Sequence, residues 1–309
     1  MDAAIFGLIV ADVIGQPLDV RNPPPPGGLH KIGSITVTTG GNVCSTGIAM
    51  ARLGMKVAAT GLVGNDVLGA AMLDILRKAG IDTSAVLASD KAQTSASVVA
   101  VEPGGERCFF HVPGVTPLLD EAQFRRCFQL FTRCAFVQIG YQGLLPGLTP
   151  ALPRLLPELR KLAPSAKIAY ETVNPPGPWS ELEPILPHLD VFAPSRTEAQ
   201  VMTGESDPLK MVAAFRKIMK HGLIGIKLDA DGCLLDDGRQ CVVVPAYKIE
   251  VVDTTGAGDS WYAGLLVGLR HNMPLEQAGR FANRVAADCC TAIGASTGIR
   301  TFQETISRL

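Results

Sequence analysis

The stretch VVDTTGAGDSWYAGLLVGL, residues 251–269, holds the residue types best suited to chemistry in this chain. A β-branched approach runs into a glycine-rich turn, then an aspartate, then an apolar run through Trp261, Leu265 and Leu269 at helical spacing. Gly256, Ala257 and Gly258 put almost no side-chain bulk over the start of the predicted helix, so the N–H groups that a helix leaves unpaired there can face an anion. Such donors stabilise charge on a transferring phosphoryl group without having to reorganise. Asp259, at the mouth of the turn, is placed to receive the proton of an attacking alcohol, and the helix dipole is expected to keep it ionised. A carboxylate is a weak base for an alcohol, but phosphoryl transfer asks for the proton late, so position counts for more than basicity. An isolated GxGD would read as a turn and a helix cap; the whole segment reads as a phosphate loop.

Rival chemistries fare worse. GLIVADVIG, residues 7–15, lacks the GxGxxG spacing of a dinucleotide fold, and neither GxxxxGK[ST] nor HExxH occurs. Hydrolase chemistry of the nucleophile-elbow kind is likewise not expected.

The elements that must hold the loop follow from hydropathy. Apolar runs at 5–10, 57–63, 135–140, 167–170, 190–193 and 223–228 read as buried strands, and they alternate with helical patterns. That alternation predicts an α/β fold, a doubly wound and mostly parallel sheet with helices on both faces. Residues 66–79 should form a helix with Val67, Ala71, Ile75 and Ala79 on one face, capped by Asn65 or Asp66 and stopped by Gly80. Two stretches break the rhythm. Residues 16–39, with Pro23 to Pro26 and Gly27-Gly28, and residues 94–112, reading SASVVAV, EPGGE and RCFFHV, look like short antiparallel strands. They are assigned to a small β lid of about 13–39 and 94–113 on a single 1–309 domain. A second hairpin is expected around Asp237-Gly238.

With 309 residues, 47% of them apolar, the chain can bury a large core. Its 28 basic and 29 acidic groups create no field that would hold nucleic acid or an anionic membrane. The start, MDAAIFGLIVAD, does not read as a secretory signal, and no window approaches the roughly 18 apolar residues of a membrane span. Eight cysteines with no CxxC pair suit a reduced, cytoplasmic setting, with the adjacent Cys289 and Cys290 serving packing.

DTTGAGD, residues 253–259, resembles the C-terminal signature of the ribokinase-like, or PfkB, carbohydrate kinases. TGGNVCSTGIAMARLG at 39–54, GLVGNDVLGAAMLDILRKAGID at 61–82 and PSRTEAQVMTG at 194–204 extend the likeness along the chain. The resemblance implies an ATP-dependent kinase that phosphorylates a hydroxyl of a sugar, with Asp259 as base and Gly256, Ala257 and Gly258 as anion hole. It also implies that Asp12 holds sugar hydroxyls, that Gly40, Gly41, Asn42 and Ser45 line the substrate, and that Glu198 organises magnesium through water. Lys227, Gly232, Thr254 and Ser195 would lie along the nucleotide, and Asn283 and Gly294 would wall the adenine. Asp253 corresponds to a residue associated with a monovalent cation, potassium being the candidate. His111, in FFHVPG, ends a lid strand and could face the substrate. Phe109, Phe110 and His111 keep a nucleoside substrate open as an alternative, and a catalytically silent sugar or nucleotide binder is the reading from another class. The chain departs from the family pattern at Ser45 and Ser195, where asparagine is common, and at Asp229, where glycine is common. A homodimer through the lid is also expected.

Overall fold

The structure, a computed structural model, describes residues 1–309 except Gly105 and Asn174; Gly105 belongs to the predicted EPGGE turn, which to that extent lies outside the described residues. In chain order the strands are β1 Ala3–Phe6, β2 Val10–Gln16, β3 Ser34–Gly40, β4 Val57–Gly64, β5 Asp82–Ser89, β6 Ser95–Val101, β7 Arg107–Val112, β8 Phe136–Gln142, β9 Lys167–Thr172, β10 Val191–Phe192, β11 Leu223–Lys227, β12 Cys233–Asp236 and β13 Cys241–Val244. Nine of them make the larger sheet, in the order β13-β12-β11-β10-β9-β8-β1-β4-β5. It is parallel from β11 to β5, and β12 and β13 add the expected antiparallel hairpin at one edge. Apolar side chains cover both faces, Phe6, Phe124, Phe131, Phe192 and Phe215 on one side, Met50, Leu76, Tyr262, Leu265 and Phe281 on the other. A parallel sheet buried on both faces needs that double layer.

β2, β3, β6 and β7 form the smaller sheet, in the order β3-β2-β6-β7. Its two hairpins are antiparallel, but the central pair, β2 with β6, is parallel. The expectation of antiparallel strands throughout is therefore corrected. Each hairpin obeys local turn chemistry, whereas their pairing is set by how the two stretches leave the larger sheet.

A second correction concerns the predicted strand 5–10. The chain leaves the larger sheet after Phe6 and enters the lid at Val10. Gly7 makes the break: a Cβ there would stand 2.0 Å from Gly140 O and 2.2 Å from Asn42 Oδ1. The edge strand β5 has no counterpart among the predicted runs, because its residues DTSAVLAS are mixed and half exposed, without apolar continuity.

The helix Val67–Lys78 forms where predicted, with Asp66 Oδ1 accepting the Gly69 N–H at 2.7 Å. Its buried face carries Gly69, Met72 and Leu76, and Val67 is exposed, so the predicted face is rotated. A further helix spans Asn42–Arg52. Cys289 and Cys290 close the helix Leu275–Cys289 and are buried in the packing.

Candidate active site

Helix Ala257–Arg270 begins at Gly256, whose φ of 75° is left-handed and leaves room only for hydrogen beside Ala295. Ala257 N–H turns back to Thr254 O at 3.2 Å, and Ser260 N–H meets Gly256 O at 2.8 Å. The N–H groups of Gly258 and Asp259 have no acceptor among the described residues. Lys227, at the end of β11, brings its ammonium over the same spot: its Nζ would stand 3.5 Å from a Cβ on Gly258. Two free backbone donors and a cation thus converge at one helix start, the ingredients of an anion site.

Asp259 lies in the first turn of that helix, half buried. Its Oδ1 accepts the hydroxyl of Tyr141 at 2.7 Å. Burial raises the Asp259 carboxyl above its ordinary value, opposed by the Tyr141 hydroxyl, the Lys227 charge and the Ser45 hydroxyl. Beside the helix terminus, which favours the charged form, desolvation is thus the largest influence on this carboxyl.

Asp12 is carried not by the first strand's end but by β2 of the lid, in register with Thr38 on β3 and Ser97 on β6; Ser97 in turn pairs with His111 on β7. Ser97 Oγ and His111 Nδ1 are 3.1 Å apart. Strand alternation puts these polar groups, together with Phe109 and Arg107, on one face of the lid. That face points at the glycine-rich turn before helix Ala257–Arg270, because Arg107 Nη2 donates to Asp253 Oδ2 at 2.7 Å. Phe110 points the other way, so the predicted trio of Phe109, Phe110 and His111 is split. Gly40 sits against Asp12, with no room for a methyl group: a Cβ would meet Asp12 Oδ2 at 2.5 Å. Cys44, buried in the first turn of helix Asn42–Arg52, has its thiol pushed up to about 12 by burial, with Asp12 and Asp259 both adding to the rise. Burial also raises Asp12, against Ser97 and the His111 charge.

A model of the pfkB family carbohydrate kinases matches residues 2–301. The chain belongs to that family. It is 26% identical to a ribokinase of Haemophilus influenzae, over 99% of this chain and 97% of the relative, and 29% identical to fructokinase-1 of Oryza sativa subsp. japonica, over 86% and 87%. Its fold matches that of an Arabidopsis thaliana ribokinase complexed with ribose and ATP, with a TM-score of 0.84 at 20% identity over 99% of this chain and 97% of the other.

The pfkB-family frame does not settle each residue. Asn42 is spent: its Oδ1 accepts Leu8 N–H at 2.9 Å, and its Nδ2 reaches Phe6 O at 3.2 Å and Gln138 Oε1 at 3.4 Å. The amide mends the backbone where β1 breaks, which gives Asn42 a structural role whether or not it also lines the substrate. Asn283 is spent too, accepting from Trp261 Nε1 at 2.8 Å and donating to Val244 O and Pro245 O at 3.0 Å. Gly232 has φ 103° with Val244 O in the space of its missing Cβ, and so it fits the β12–β13 edge.

Glu198 is buried and closes a capping box with Ser195. Its Oε2 takes both Thr172 Oγ1 at 2.7 Å and Ser195 N–H at 2.8 Å. Ser195 bridges to Lys227, which keeps that cap beside the anion site. Asp229 has φ 55°, which explains the glycine common at this place in the family. Thr254 is exposed at the turn, and Gly294 N–H serves Asp253. GASTG, residues 294–298, has the spacing of a hydrolase nucleophile turn after all. It follows a helix, not a strand, so the strained elbow is missing.

Two site residues escaped the sequence reading. Tyr141 carries no motif. Glu171, next to last in β9, is buried, bound by Gln138 Nε2 at 2.6 Å and 3.9 Å from Lys227 Nζ. Burial, then Asp259, raises its carboxyl well above the usual range, against Lys227. An acid closing the otherwise apolar run KIAY at the C-terminal end of a parallel strand was the signal available.

Proposed function

We propose that this pfkB-family carbohydrate kinase transfers the γ-phosphoryl group of ATP to a hydroxyl of a free or simply modified sugar held between lid and core. The observation that carries the reading is the convergence of Asp259, the unpaired N–H groups of Gly258 and Asp259, and Lys227 Nζ on one point. In this reading Asp12 orders the sugar by accepting hydroxyl hydrogens, with His111 and Ser97 beside it. Asp259 takes the proton of the attacking hydroxyl, and Tyr141 holds the carboxylate in line. The backbone N–H groups and Lys227 stabilise the charge on the moving phosphoryl group. Closing the lid keeps water from the same position.

The carboxylates fit a magnesium ion held mostly by phosphates and water. Among the described residues no three acidic, histidine or cysteine side chains form a ligand set, while Glu198 Oε1 has no hydrogen-bond donor. Glu198 would hold such an ion through water, and the ion would supply positive charge to offset that of the phosphates. Asp253 is poorly suited to a monovalent cation, since the Arg107 guanidinium already balances its charge and its Oδ2 accepts from both Arg107 Nη2 and Gly294 N–H, while Oδ1 accepts Thr255 N–H.

The lid's outward face, with Ile35, Val37, Val98, Phe110 and Val112 exposed, supports pairing with a second copy of the chain. A nucleoside substrate stays the second reading because Phe109 shares the polar lid face with His111 and could stack a base. ADP release measured over a panel of sugars and nucleosides separates them: sugar-dependent release is expected, release only with nucleosides favours the second reading, and none with either contradicts both.

A further inference from the structure

Arg107 is the first residue of β7, at the tip of the lid, and it is 146 residues away in sequence from Asp253. Its guanidinium nevertheless clips the two together. Nη2 donates to Asp253 Oδ2 at 2.7 Å, and Nη1 donates to Thr255 Oγ1. The pair is sheltered, with side-chain exposures of 22% and 5%. Asp253 Oδ2 also takes Gly294 N–H at 2.8 Å, and Oδ1 takes Thr255 N–H at 2.9 Å. Thr255 is followed at once by Gly256, so whatever fixes Asp253 and Thr255 sets where the N–H groups of Gly258 and Asp259 point.

We propose that Arg107 is a built-in cation: it neutralises Asp253, positions the anion-binding turn from the lid, and makes turnover independent of monovalent metal ions. A guanidinium cannot lose its proton near neutral pH, and its planar fork engages a carboxylate and a hydroxyl at once. Without it, a sheltered negative charge would stand beside the turn that must accept phosphate, and that charge opposes binding. Because the guanidinium belongs to the lid, the turn is correctly set only when the lid is seated. Arg107 is thus a positioning residue, acting through Asp253 and Thr255. The inference rests on the phosphoryl-transfer reading for its kinetic arm alone.

The test compares potassium chloride with tetramethylammonium chloride at equal ionic strength, for the full chain and for Arg107→Gln and Arg107→Lys. Unaltered protein should show the same rate and the same melting temperature in both salts. Arg107→Gln should lose about ten- to a hundred-fold in kcat/KM, melt higher in potassium than in tetramethylammonium, and regain rate with added guanidinium ion; Arg107→Lys should lose less. Stimulation of the unaltered protein by potassium, or its stabilisation by potassium, overturns the proposal, as does an Arg107→Gln protein with unaltered rate. The melting comparison of the unaltered protein needs neither a substrate nor a variant, so absence of kinase activity would sink the function and leave this inference to be judged on its own.

Discussion

Two glycine-containing turns, Gly40-Gly41-Asn42 and Gly256-Ala257-Gly258-Asp259, look alike in sequence, each setting a polar residue at the start of a helix, and they do different work. Asn42 has both amide atoms bound to the backbone and to Gln138, and it is fully buried. Asp259 accepts from Tyr141 on one oxygen, and the N–H groups of Gly258 and Asp259 have no acceptor among the described residues. The difference lies underneath. Beneath Asn42 the chain breaks out of β1, leaving Phe6 O and Leu8 N–H in need of partners. No such break lies under the second turn. A helix start can serve a ligand only with hydrogen-bonding capacity that the fold has not already used.

Exchanging function for structure at each turn breaks this comparison apart. Asp259→Asn should cost about 10²- to 10⁴-fold in kcat with little change in melting temperature; equal loss of stability would put it with Asn42. Asn42→Ala should do the reverse, costing roughly 3 kcal/mol by denaturant unfolding as two buried backbone groups lose their partner, while kcat of the folded fraction stays within a few-fold. A kcat collapse in a stable Asn42→Ala protein would move that residue into the site.

A finer probe is Tyr141→Phe. Asp259 must be ionised to act, so activity should fall as pH drops through its raised value. Tyr141 lowers that value by bonding the charged form, so its removal should shift the acid limb of the rate profile to higher pH. A shift to lower pH, or none, would detach Tyr141 from the base. The smallest effect is expected at Asp229→Gly, where relief of the left-handed backbone should raise stability by no more than about 1 kcal/mol; a loss would mean that the aspartate side chain is needed there.

The parts legible in sequence are those whose signals are local. The Val67–Lys78 helix has its cap and stop within a short span, even though its buried face is rotated from the expected one, and the DTTGAGD turn announces small residues, an acid and a helix together. What was missed depends on distant chain. Gly7 is an ordinary glycine until Asn42 and Gly140 crowd it, and the parallel β2–β6 pairing joins segments on either side of the first two helices. Glu198 is a polar helix residue by pattern, and only Thr172 shows why it is buried. Tyr141 belongs to the site because β8 ends facing the Ala257–Arg270 helix, which no motif encodes.

The most direct measurement is a structure with ADP, aluminium fluoride, magnesium and the sugar that supports turnover. The account predicts the fluoroaluminate about 3 Å from the N–H groups of Gly258 and Asp259, within reach of Lys227 Nζ, with the sugar hydroxyl between it and Asp259. A fluoroaluminate bound away from that helix start, or a sugar with no hydroxyl near Asp259, would contradict it.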